Sequence, residues 1–72
     1  MQISQRRQIQ ASLARILTNS DKQFVIANVK GDGDEYEIVK MVNDQAPGMF
    51  TSIHEIDTVN GGYLTFTKVA PW

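Results

Sequence analysis

The chain has no cysteine, one histidine, one tryptophan and two prolines in 72 residues. Without cysteine there is no disulfide framework and no thiolate metal site. A single histidine leaves any zinc site dependent on carboxylates. No apolar run approaches the ~20 residues of a membrane span. The segment Met1–Arg7 (MQISQRR) lacks the apolar stretch of a signal peptide. The expected compartment is therefore the cytoplasm, or the host cytoplasm if the gene is viral. Internal repeats and low-complexity stretches are also missing.

Apolar residues make up 42% of the chain and charged residues 21%, an ordinary globular balance. The length allows one domain and one core. A core this small rarely supplies more than about 3–5 kcal/mol net, so with no disulfide it needs tight packing or a second subunit. The formal net charge of −1 gives no global attraction to nucleic acid or an anionic membrane. The charges are unevenly placed. Through Lys30 stand Arg6, Arg7, Arg15, Lys22 and Lys30 against Asp21; from Gly31 to Asp57 stand Asp32, Asp34, Glu35, Glu37, Asp44, Glu55 and Asp57 against Lys40.

The pattern predicts a helix over about 5–18. Ile9, Leu13, Ile16 and Leu17 fall within an arc of about 100° at helical spacing, Ala11 and Ala14 add propensity, and neither Gly nor Pro interrupts. Ser4 is the expected N-cap and Asn19 the expected left-handed residue at the C-terminal end. The remainder reads as strands over about 23–30, 35–42, 49–56 and 63–69. Asp32-Gly33 suits a two-residue hairpin turn that would pair Lys30 with Glu35, Val29 with Tyr36, Ala27 with Ile38, Ile26 with Val39 and Phe24 with Met41. A Gly61-Gly62 turn would pair Val59 with Leu64, Thr58 with Thr65 and Glu55 with Lys68. Such short connections imply an antiparallel meander. The expected fold is thus α+β: one amphipathic helix packed on a four-stranded meander, with curling into a small barrel as a way to bury the first hairpin, which is apolar on both faces. That outline is similar to small SH3-like or Sm-like barrels and to the cystatin-like arrangement. No signature residue of either stands in the chain, so the likeness carries no function.

Candidate chemistry is sparse. An EF-hand starting at Asp32 would need an oxygen ligand at its fifth position, Gly at its sixth and Glu at its twelfth; Tyr36, Glu37 and Asn43 stand there instead. Gly31-Asp32-Gly33 and Gly61-Gly62 lead, on this reading, from strand to strand, whereas a phosphate cradle leads into a helix. His54 shares a strand face with Ser52, while Glu55 points to the other face, so no Ser–His–carboxylate relay follows. Arg6, Arg7 and Arg15 lie near 60°, 160° and 240° on the helix wheel and form no basic stripe. Phe24, Tyr36, Phe50, Tyr63 and Phe66 are better explained as core than as base-stacking platforms.

The resulting expectation is a non-enzymatic protein-binding module without metal or cofactor. It would act as a small regulator, a stoichiometric inhibitor (a phage-encoded one fits this size) or an assembly subunit. The partner-binding candidates are Asp32, Asp34, Glu35 and Glu37, offering carboxylates to a basic groove, and Met41, Met49, Phe50 and Trp72, apolar residues at loop edges or the C-terminus. A second copy of the chain is a further candidate partner. The alternative is a small-barrel nucleic-acid-associated protein; a compact enzyme using His54 ranks below both.

Overall fold

Residues 2–57 and 61–69 are described by the computed structural model. Helix α1 spans Ile3–Thr18, strand β1 Gln23–Val29, helix α2 Gly31–Gln45, strand β2 Phe50–Asp57 and strand β3 Gly61–Lys68. The sheet order is β1-β3-β2, with β3 antiparallel to both neighbours. The outer strands are therefore parallel to each other, and α2 carries the chain from one edge of the sheet, past the central position, to the other.

This corrects the expected sheet. It has three strands rather than four, is not a meander, and is open rather than closed into a barrel. The predicted strand 35–42 is the middle of α2, and Asp32-Gly33 lies in its first turn rather than in a hairpin tip. None of the pairs expected for that hairpin forms. Phe24 lies opposite Phe66 and Ile26 opposite Leu64. The physical reason lies in the apolar spacing. Ile38 and Val42, four residues apart, are fully buried, with Met41 and Val39 partly buried beside them, which is a helical face. The acidic run also fits, because Asp32 and Asp34 stand in the first turn of the helix, where its dipole favours negative charge. Asp44 supports its last turn, accepting a hydrogen bond from Lys40 at 2.9 Å. The apparent second apolar face of a hairpin is thus α2's own buried face.

The first helix agrees more closely. Ile9, Leu13 and Ile16 are buried, whereas Leu17, at the margin of the arc, is 42% exposed. The N-cap is Gln2, with Ser4 inside the helix. Asn19 ends the helix in extended backbone at φ −134°, not in the left-handed region; its side-chain oxygen accepts the Asp21 N–H at 2.9 Å and turns the chain that way instead.

The β2–β3 register also departs from expectation. His54 lies opposite Leu64, Ile53 opposite Thr65 and Glu55 opposite Tyr63. Gly61 and Gly62 are strand residues paired with Asp57 and Ile56 rather than a turn. Val59 and Thr58 lie outside the described residues. Lys68 sits opposite Phe50 rather than Glu55. It is 9% exposed, and its Nζ donates to the Asn19 carbonyl at 3.3 Å, a cation set at the end of α1.

Both helices lie on one face of the sheet. Phe24, Ile26 and Val29 from β1 and Leu64 and Phe66 from β3 meet Ile9, Leu13, Ile16, Ile38 and Val42 in a single core. Phe24 stacks on Phe66 with ring centroids 5.0 Å apart, and Phe50 meets both edge-on at 5.5 and 6.4 Å.

Candidate functional site

Strand alternation dictates what the helices leave bare. Positions 62, 64, 66 and 68 of β3 are buried while 61, 63, 65 and 67 are not, so the opposite face carries the second set and its cross-strand neighbours. Thr65 is flanked by Val25 and Ile53, and Thr67 by Gln23 and Thr51. Val25 is 52% exposed and Ile53 61%. Tyr63 donates its hydroxyl to Glu55 at 2.9 Å, and Gln23 donates to Thr67 at 3.2 Å. Among the described side chains, the bare face carries a row of β-branched residues, Val25, Thr65 and Ile53, with the Glu55 carboxylate beyond it engaged by the Tyr63 hydroxyl.

The second arrangement is His54 with Glu35. His54 Nδ1 stands 2.9 Å from Glu35 Oε2, where the ring N–H donates to the carboxylate, and the imidazole is 10% exposed. Its Nε2 is buried with no hydrogen-bond partner. With the proton held at Nδ1, the neutral ring leaves Nε2 as an acceptor without a donor. The ring fits because position 62 is glycine: a Cβ there would lie 2.7 Å from Nε2 and 3.1 Å from the Glu55 and Val29 carbonyl oxygens. Ser52 is exposed on the same strand face and makes no hydrogen bond to the ring. The geometry of a nucleophile–base relay is therefore not assembled. Glu55 is engaged on the other face, as strand parity predicts. Glu35 is the carboxylate that reaches the histidine, and sequence reasoning missed it because a strand over 35–42 would have carried it elsewhere.

A polar cleft of about 650 Å³ opens where both helices begin, lined by Gln2, Gln5, Gln8, Asn28, Lys30 and Asp34 among others. Gln5 spans it, donating to the Ala27 carbonyl at 3.2 Å. Asn28 adopts φ +60° where the β1 register shifts, a conformation asparagine tolerates better than most residues.

The expected partner-binding residues are dispersed. Glu35 is turned onto His54, Asp34 lines the polar cleft, and Glu37 lines a groove between the helices with Arg6 and Lys40. Asp32 occupies the first turn of α2. Met41 and Phe50 pack against the core, and Met49 is half-buried at the entry to β2. Trp72 lies outside the described residues. Lys40 is held above its ordinary value of 10.5 by its hydrogen bond to Asp44 and the charge of that carboxylate.

Among the described residues no group of three or more histidine or acidic side chains is placed to hold a metal ion, and no helix is long and apolar enough to cross a membrane. No family model, curated protein or solved structure matches the chain.

Proposed function

We propose that the protein is a non-enzymatic protein-binding module that makes contact through the bare face of its sheet. The observation that carries this reading is the row Val25–Thr65–Ile53, whose apolar members stand half exposed or more on a rigid sheet. Three strands spaced ~4.8 Å and ~27 Å long make a face of roughly 400 Å², with its apolar side chains at the centre and polar ones around them. Its chemistry defines the partner. Among the described side chains Glu55 is the charge on it, so these offer no cation to a phosphate backbone. It suits an uncharged protein surface of apolar and hydroxyl side chains, for which threonine, valine and isoleucine supply shape with little side-chain entropy to lose. The acidic positions support a basic-groove reading less well, because α2 distributes them around its circumference.

A photoreactive residue placed at Val25 tests this in cells that make the protein, with Gln10 on the outer surface of α1 as the control. One dominant protein adduct is expected from Val25 and none from Gln10, with Thr65→Lys reducing the adduct at least tenfold and Glu37→Lys changing it less than twofold. Equal adducts from both positions, or an adduct indifferent to Thr65→Lys and abolished by Glu37→Lys, would return the contact to the helices.

A further inference from the structure

The two edges of the sheet are protected very differently. On β1 the register shifts between Ile26 and Val29, Asn28 is turned to φ +60°, and the Ala27 carbonyl is occupied by Gln5. These are the devices that stop a strand edge from recruiting another strand. On β2 none of the three is seen among the described residues. Phe50–Asp57 runs in unbroken register against β3, with no proline, no lysine and no positive φ among its residues.

We infer that β2 pairs antiparallel with β2 of a second copy of this chain, joining two sheets into one of six strands across a two-fold axis at Ile53. Residues opposite one another in an antiparallel pair share a face, so a symmetric pairing must centre on a residue, and three centres lie near the middle of the strand. Centring on Ser52 uses only positions 50 to 54. Centring on His54 sets Ile53 against Glu55 of the other copy. Centring on Ile53 pairs positions 50 to 56, sets Ile53 against Ile53, Thr51 against Glu55 and Ser52 against His54, and keeps the carboxylates apart.

The helix layer obeys the same axis. Glu35 reaches His54, and Met49 N–H donates to the Ala46 carbonyl, so α2 runs antiparallel to β2. Four residues along α2 rise about 6 Å, close to two strand residues, which brings Val39 alongside Ser52 and Ile53. Glu37, Met41 and Asp44 face Arg6 of α1. Val39, Tyr36 and Asn43 fall on the opposite side of α2, about 100–160° from Ile38 on the wheel. Tyr36 is 69% exposed there. Around the Ile53 axis Val39 meets Val39, and Tyr36 approaches Asn43 of the other copy.

The molecule's least extent is 17 Å, so an edge ~27 Å long gives a flat footprint of roughly 460 Å² per copy, or about 900 Å² for the pair before surface relief adds to it. That lies at the low end of interface sizes, the range of weak, reversible association. The joined bare faces measure roughly 800 Å², the footprint of a standard protein interface on one partner. The inference thus deepens the binding-module reading. Its test reads mass rather than partner adducts, so the two fail separately.

Sedimentation equilibrium of the full chain from about 10 µM to 1 mM measures the mass, with circular dichroism confirming that each variant is folded. A monomer–dimer equilibrium is expected. Ile53→Lys, which sets like charges on the axis, should weaken it at least tenfold; Thr51→Lys, which faces Glu55 of the other copy, should tighten it severalfold in a salt-sensitive manner. In this cysteine-free chain, Ile53→Cys should oxidise to a covalent dimer and Val25→Cys should not. A strict monomer at 1 mM, a dimer indifferent to both lysines, or tightening by Ile53→Lys overturns the proposal.

Discussion

At Gly62 one methyl group decides whether His54 can stay where it is. Alanine there would bring Cβ within 2.7 Å of Nε2, and the ring is held from the other side by Glu35. Gly62→Ala is expected to cost about 1–3 kcal/mol, the usual penalty for overpacking, measured by urea denaturation. His54→Ala in the same chain should recover part of that loss, since the two backbone carbonyls at 3.1 Å remain. A fully additive double mutant would mean that the ring and the glycine do not compete for the same space. The opposite case is Asn28. With φ +60°, Asn28→Gly should be neutral or slightly stabilising, whereas Asn28→Val should cost about 1–2 kcal/mol, because a β-branched residue is strained in that region. Neither position was marked by its neighbours in sequence. A glycine next to a glycine reads as a turn, and asparagine in a strand-like run reads only as a weak breaker, until the packing shows what each accommodates.

Among the elements, α1 was legible and α2 was not, and the difference is physical. The first helix sets Ile9, Leu13, Ile16 and Leu17 at helical spacing over about two and a half turns, a pattern no strand can satisfy. The second has two glycines near its start and the run EYEIVKMV, in which β-branched and aromatic residues alternate with charges well enough to pass for a strand. Its helical signals were the Ile38–Val42 spacing and the acidic first turn, both of which also fitted a charged hairpin tip. Tertiary packing over β2 resolves that ambiguity. The sheet order was unreadable for the same reason, since removing one strand and inserting a crossover helix turns a meander into β1-β3-β2. The strand parity of 49–56 and 63–69 survived, so the separation of Glu55 from His54 was correctly anticipated while the partner of His54 was not. The last turn of α2 offers a direct check. Lys40 is raised by Asp44, so the stability it contributes is complete below about pH 10.5 and is lost as the pH rises through its folded value. Asp44→Asn should lower the Lys40 titration midpoint, followed by NMR, and remove that alkaline loss; an unchanged midpoint would dissolve the pair.

For the whole molecule, the central fact is that two helices cover one side of a narrow sheet and leave the other bare. A core this small supplies about 3–5 kcal/mol net, so its cluster of Phe24, Phe50 and Phe66 is not dispensable. Phe66→Ala should cost about 3–5 kcal/mol and leave the protein largely unfolded at 37 °C, read by thermal melting. A loss under 1 kcal/mol would show that the cluster is not the keystone of the core. The bare face has no such structural task, and substitutions at Val25 or Thr65 should move stability by about 0.5 kcal/mol or less. The proposed contact surface rests on that contrast between a costly inner face and a permissive outer one. It is tested most directly by methyl relaxation from a soluble paramagnetic agent in a dilute NMR sample. Strong enhancement is expected at the methyls of Val25, Ile53 and Thr65, with Ile26, Ile38, Val42 and Leu64 protected. Protection of Val25 and Thr65 comparable to that of Leu64 would mean that the face is already covered, and would contradict the account.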